Sequence, residues 1–323
     1  MTPVFRAPGW LPGGHAQTIW PALVGRRRLA GRVTWTRERW DTPDGDFVDL
    51  DFAPPGHAGA PLLVLFHGLE GSTVSHYALS FALEAGRRGW GFVMPHFRGC
   101  SGELNRAPRA YHSGDHAEVA WFLDRLSARA GAPVLAAGVS LGGNALMRWA
   151  GEAGATAART ARAVASICAP LDLTASGRAM GRGFNRLVYT RMFLATMIPK
   201  ADAKWQQYPG LFDRDRVAAA KTLYDFDDAF TAPVHGFRDA DDYWARASAK
   251  PHLRAIRIPA LALNARNDPF VPAVSLPTPA DGSSTIELWQ PAHGGHVGFP
   301  RPPFPGRVDV LPQAVCDWLA RRA

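Results

Sequence analysis

Serine, aspartate and histidine occur in this 323-residue sequence in an order that suits nucleophilic catalysis. Ser140 stands in Gly138-Val-Ser-Leu-Gly142, between the apolar run Val134-Leu-Ala-Ala and the helical stretch Ala145-Leu-Met-Arg-Trp-Ala. A strand, a sharp turn and a helix hold such a serine strained and exposed, with the next N–H pointing at whatever it attacks. Gly138 and Gly142 suit that turn because a Cβ at either place would collide where strand and helix backbones meet. A plainer reading makes Ser140 the cap of an ordinary helix. A serine hydroxyl needs a base to take its proton and a third group to orient that base. Asp268 follows Leu261-Ala-Leu-Asn-Ala265 in Arg266-Asn-Asp-Pro-Phe-Val-Pro272, so it belongs to a loop at the carboxyl end of a strand. Its plainer reading is a turn-forming Asp-Pro. Two histidines could be the base, His293 and His296, in Pro291-Ala-His-Gly-Gly-His-Val-Gly-Phe299. Order and spacing only slightly favour His296. An oxyanion needs two N–H donors. The first is the backbone N–H of Leu141. The second is assigned to Leu69, in the glycine-containing loop Phe66-His-Gly-Leu-Glu-Gly71, and neither His67 nor Glu70 is given a chemical role.

The elements that must position these groups read as an α/β chain. Val33–Trp40 and Phe47–Phe52 alternate around Asp41-Thr-Pro-Asp-Gly45, as in a β-hairpin. From residue 61 the strands become short continuous apolar runs, the pattern of parallel strands buried on both faces. These are 61–66, 91–94, 134–139, 163–167, 260–264 and 285–289. Helical stretches near 76–85, 117–126, 145–150 and 308–320 alternate with them. That alternation predicts a mostly parallel sheet with helices on both faces. It breaks between about 171 and 250, a segment with many Met, Phe and Trp residues, read as a helical cap or lid over the carboxyl edge of the sheet or as a plain helical subdomain. Residues 1–30, rich in Pro, Gly and Trp, read as an N-terminal arm, too irregular for a helix start and too polar for a strand. With no repeats and no long linker, 1–323 reads as one domain.

Composition narrows the function classes. The chain is 47% hydrophobic and 20% charged, which is ordinary for a globular enzyme. Its net charge of +8 is carried mostly by arginine, since lysine occurs only at 200, 204, 221 and 250. The arginines are scattered, apart from Arg26-Arg27-Arg28, and form no basic stripe interleaved with aromatics, so no nucleic-acid partner is expected. Weak peripheral attraction to anionic membranes is compatible with the charge. No stretch approaches the length of a membrane span and no signal peptide is apparent. Cys100, Cys168 and Cys316 lack metal spacing and a disulfide framework, pointing to a reducing cytoplasmic setting, with Cys168 read as a packing residue. His293 and His296 are three apart across two glycines, in a loop rather than on a helix, which is not the spacing of a helical metal pair. No metal and no cofactor is called for.

Several further stretches bear on identity: Gly13-Gly-His-Ala-Gln-Thr-Ile19, His67-Gly-Leu-Glu-Gly-Ser72, Phe97-Arg-Gly-Cys-Ser-Gly-Glu103 and Tyr111-His-Ser-Gly114. With them go Gly138–Asn144, Phe226-Asp-Asp-Ala-Phe-Thr-Ala-Pro233 and His293–Phe299. Together these resemble, nearly end to end, the YheT-like branch of the α/β-hydrolases. That resemblance implies an α/β-hydrolase fold and a Ser140–Asp268–His296 triad, the histidine being the one before Val-Gly-Phe. It also implies hydrolysis of carboxylic esters with short or medium acyl chains, monoacylglycerols among them. An acyltransferase passing the acyl group to an alcohol would carry the same residues. A non-catalytic binding protein on this fold is the alternative from another class.

Overall fold

The structure, a computed structural model, describes residues 5–323, so the first four residues of the 1–30 segment lie outside the described residues. Its centre is an eight-stranded sheet. The strands are β1 (Thr36–Asp41), β2 (Phe47–Ala53), β3 (Leu62–Phe66), β4 (Gly91–Pro95), β5 (Val134–Val139), β6 (Ala161–Ile167), β7 (Ala260–Leu263) and β8 (Ile286–Trp289). Their spatial order is β1-β2-β4-β3-β5-β6-β7-β8. The hairpin β1–β2 joins β4 antiparallel, and every other pairing is parallel.

The period of two along the inner strands sorts their side chains into two cores. Val64, Phe66, Val93, Ala136 and Val164 pack against the helices His116–Ala130 and Leu141–Ala153. Leu63, Leu65, Phe92, Ala137 and Ala165 pack on the other face against His76–Arg87 and Val310–Ala320. Both faces are therefore covered, which is why these strands are apolar throughout rather than alternating.

Chain order reverses at β3: the connection from β4 passes over β3 to reach β5 on its far side. A crevice opens at the carboxyl ends of strands where such a reversal occurs. Register aligns those ends, with Phe66 opposite Gly138, Gly138 opposite Ser166, Ile167 opposite Leu263 and Leu263 opposite Trp289. The loops that follow carry Leu69, Ser140, Cys168, Asp268 and His296. Between β6 and β7 the chain forms helices, chiefly Leu173–Met180, Arg191–Gln207 and Ala240–Ala247.

The N-terminal stretch departs from expectation. Gly13–Trp20 is an α-helix, and helical backbone continues through Arg26–Leu29. Gly13, Gly14 and Pro21 lower helix propensity, which is why the stretch reads as irregular. Tertiary contact overrides them, because a Cβ on Gly14 would lie 1.9 Å from the Asn267 carbonyl oxygen. Glycine is what lets this helix press against the loop that carries Asp268.

Candidate active site

Ser140 adopts φ 53° and ψ −119°, a backbone conformation costly to any residue with a Cβ. Its surroundings enforce that geometry. Its N–H donates to Ile167 O at 2.8 Å, and its carbonyl accepts from Gly143 and Asn144. A Cβ on Gly138 would lie 2.4 Å from Gly142 O, and one on Gly142 would lie 2.5 Å from His67 O. The two glycines thus solve different problems. One lets the helix start over β5, and the other lets that start pack on the end of β3.

The loop after β3 is held almost completely. Gly68 N–H donates to the Tyr77 hydroxyl at 3.1 Å and Glu70 N–H to the Tyr111 hydroxyl at 3.0 Å. Gly71 N–H donates to Gly68 O at 2.9 Å. Buried His67 accepts from Phe97 N–H through Nε2 at 3.0 Å, which leaves Nδ1 as the donor to Gly68 O at 2.7 Å. Burial holds this imidazole neutral, its pKa lowered to about 3. Because the peptide unit is planar and trans, fixing the Gly68 carbonyl turns the Leu69 N–H the opposite way. Among the described residues, neither Leu69 N–H nor Leu141 N–H has a hydrogen-bond partner. Gly68 brings this loop beside Ser140, since a Cβ there would sit 3.2 Å from Ser140 Cβ.

Asp268 is buried, and one of its oxygens lies 2.9 Å from His296 Nδ1. Its other oxygen accepts from Phe270 N–H at 2.8 Å and Val271 N–H at 3.4 Å, so the carboxylate is pinned on both sides. The His296 ring stacks on Phe270 with centroids 4.1 Å apart. His293 is exposed and makes no hydrogen bond to any described residue. The loop between β8 and His296 is fastened by the N-terminal helix. Gln17 Oε1 accepts from Gly294 N–H at 3.0 Å and from Asn267 Nδ2 at 2.9 Å. Gly295 N–H donates to Asn267 Oδ1 at 3.0 Å, and His296 N–H donates to Thr18 Oγ1 at 2.8 Å. Gly13–Ile19 therefore braces both the acid loop and the histidine loop. Nothing in its local sequence shows this, because the partners lie some 250 residues away.

Cys168 is more than packing. It has φ 51°, and its sulfur accepts from Val297 N–H at 3.3 Å. Its Sγ lies within 4.8 Å of the ligand atoms of Asp268 and His296. Such a trio could in principle hold an ion. Here the aspartate and imidazole are spent on each other, and burial with the nearby Asp268 carboxylate drives the thiol well above its ordinary pKa. All three cysteines are free and buried.

Ser140, Leu69, Leu141 and His296 line one cavity of about 120 Å³. Its wall is largely apolar and includes Leu173, Met180, Phe193, Met197 and Leu223 from the segment between β6 and β7. A second recess of about 70 Å³ shares Leu69, Leu141 and Met197 with it and runs toward Glu70 and Lys200, which pair at 2.8 Å. Asp227 borders both, raised to about 6 by burial and held by Thr231 and the Trp244 indole. Other sequence motifs prove to be struts. Buried Arg98 pairs with Asp46 and Glu118. Asn144 ties Ser113 and Ala247 to the helix that follows Ser140 and accepts from Ala249 N–H.

Comparison with known proteins bears on this arrangement. Residues 61–302 match the family of the alpha/beta hydrolase fold. The chain is 41% identical over 310 residues to YheT of Escherichia coli (strain K12), whose name classes it as an esterase, covering 94% of this chain and 89% of that one. It is 30% identical over 277 residues to Phospholipase ABHD3 of Mus musculus, covering 83% and 67%. An esterase structure from Pyrococcus furiosus superposes with a TM-score of 0.56 at 13% identity, covering 91% of this chain and 93% of that one. No helix among the described residues is long and apolar enough to cross a membrane. The chain therefore belongs to the α/β-hydrolase family, in its YheT-like branch, and is an ester hydrolase of that fold.

Proposed function

We propose that the protein cleaves carboxylic esters through an acyl-enzyme on Ser140. His296 Nε2 takes the proton as Ser140 Oγ attacks the ester carbonyl, while Asp268 holds Nδ1–H and steadies the imidazolium. The carbonyl oxygen becomes an oxyanion and receives the N–H groups of Leu69 and Leu141. Collapse expels the alcohol, which takes the proton from His296. Water then attacks the acyl-serine with His296 again as base, releasing the acid and restoring Ser140. The observation that carries this reading is the Asp268–His296 pair opening onto the same cavity as Ser140 and two unpartnered N–H groups. The Leu173–Met197 wall suits a short or medium acyl chain, monoacylglycerols included, and the Glu70–Lys200 recess suits the alcohol part. The helices between β6 and β7, which supply that wall, act as a lid in this scheme.

Labelling with a fluorophosphonate probe tests the nucleophile. Wild type should label rapidly and Ser140→Ala not at all; equal labelling would overturn the reading. A hydrolysis profile over esters of increasing chain length, with monoacylglycerols and Ser140→Ala as control, tests the substrate class. Adding an alcohol at fixed acyl donor reads the acyltransferase alternative, because transfer would divert product from the free acid to a new ester.

A further inference from the structure

The segment over the cavity has a second apolar face that the described residues leave largely open, with one side of Phe184 resting on His15. Residues 183–207 run as one helical stretch, with a wider turn at Arg186–Thr190. Its inward side carries Tyr189, Phe193, Leu194 and Met197, which pack on the body or line the cavity. Its outward side carries Phe184 at 46% exposure, Leu187 at 65%, Val188 at 39% and Met192 at 55%. The spacing 184, 187, 188 and 192 is one helical stripe. A helix that is apolar on both sides is ordinarily buried all round. Large apolar side chains gathered on one exposed patch mark a contact surface.

Charge says what the contact is. From Leu173 to Ala201 the chain contains Arg178, Arg182, Arg186, Arg191 and Lys200 and no Asp or Glu. Lys200 pairs with Glu70, and Arg178 approaches Asp241. Arg182, Arg186 and Arg191 are exposed and have no carboxylate partner among the described residues. Aliphatic side chains flanked by unpaired arginines fit hydrocarbon beneath a layer of phosphates. A second copy of this chain fits poorly, because it would bring like arginines together. A nucleic acid would leave Leu187 and Met192 without an apolar partner.

We infer that this face docks on an anionic phospholipid surface. The interaction is peripheral, with Phe184, Leu187, Val188 and Met192 entering the acyl boundary and the arginines meeting phosphates. Phe193 and Met197, on the other side of the same helix, would then form the cavity wall nearest the bilayer. Insofar as it implies that the ester substrate is drawn from the membrane, the inference rests on the esterase reading.

The test is co-sedimentation of the full chain with vesicles of phosphatidylcholine, with and without phosphatidylglycerol, across a salt series. Wild type should bind the anionic vesicles at least about tenfold more tightly than the neutral ones, and lose binding as salt rises. Leu187→Ser with Met192→Ser should lose most of that binding, as should Arg182→Glu with Arg186→Glu. Circular dichroism and thermal melting of each variant separate lost docking from lost folding. Turnover of a water-soluble ester should be unchanged, since none of these side chains lines the cavity. The inference is overturned if wild type ignores anionic vesicles, or if folded variants bind as wild type does. It is also overturned if the face instead mediates a dimer that Leu187→Ser abolishes. Vesicle binding without ester cleavage would sink the esterase reading alone, and cleavage without binding would sink only the docking face.

Discussion

Replacing Thr18 by valine probes whether the N-terminal helix sets the position of His296. The side chain is buried, and its Oγ accepts from His296 N–H at 2.8 Å while donating to Gly14 O at 2.7 Å. Valine keeps the branched shape but removes both bonds. Gly14 O, inside a helix, keeps its place in the backbone ladder, so the main cost falls on the His296 N–H, left unpaired in a confined site. Such an orphan costs about 1–3 kcal/mol. If the loop escapes that cost by shifting, His296 leaves the geometry it shares with Asp268 and Ser140. The same energy then appears as a kcat loss of about 5- to 150-fold. The apolar cavity wall comes from other elements, so KM for a short-chain ester should change by less than about threefold. Steady-state kinetics, the rate of fluorophosphonate labelling and thermal unfolding should be measured together, with Thr18→Ser as the rescue that restores the oxygen. Two results would refute the reasoning. One is a valine variant within about twofold of wild type in kcat. The other is a serine variant no better than the valine one.

Three further outcomes are expected. His67→Leu frees the Gly68 carbonyl and leaves Phe97 N–H unpaired. Under the proposed mechanism the Leu69 N–H then loses its aim, and kcat should fall about 10²-fold with little change in KM, as for loss of one oxyanion donor. Asn144→Ala removes a buried side chain that bonds Ser113 O, Ala247 O and Ala249 N–H, and urea unfolding should show a loss of about 3–5 kcal/mol. Stability should also fall as pH drops below about 6.5. Burial lowers His67 and His235 to about 3, and His76 and His112 to about 4. Below the ordinary histidine value the unfolded chain therefore takes up protons that the folded one refuses. Asp227 and Glu118, both raised by desolvation, act in the opposite sense, since the folded state keeps their protons longer. Four groups against two leave a net slope of about 1–3 kcal/mol per pH unit between pH 6 and 5. Urea midpoints that stay flat from pH 7 to 5 would show the balance to be wrong.

The sheet was legible in the sequence because its causes are local. Runs such as Leu62–Phe66 and Val134–Val139 must be apolar when both faces are covered, and the glycines of Gly138–Gly142 must be glycines wherever a strand turns sharply into a helix. The same locality explains why Asp268 and the His293–His296 pair were visible as strand-end groups. It also explains why spacing could hardly separate the two histidines: three residues apart in a glycine loop, they differ only in what the fold brings to them. Asp268 and Thr18 reach His296, while His293 is left in solvent. Tertiary contact alone decided that Gly13–Trp20 is helical, because Gly14 serves close approach to Asn267 rather than propensity, and Gln17 and Thr18 reach the histidine loop. It also decided that Cys168 lies against the acid–histidine pair, and that the one N–H of the 68–71 loop without a partner among the described residues is that of Leu69. Patterns of neighbouring residues specify which elements form. Hydrogen bonds between residues hundreds of positions apart specify which atom each element presents to the cavity, and no window on the sequence is wide enough to hold them.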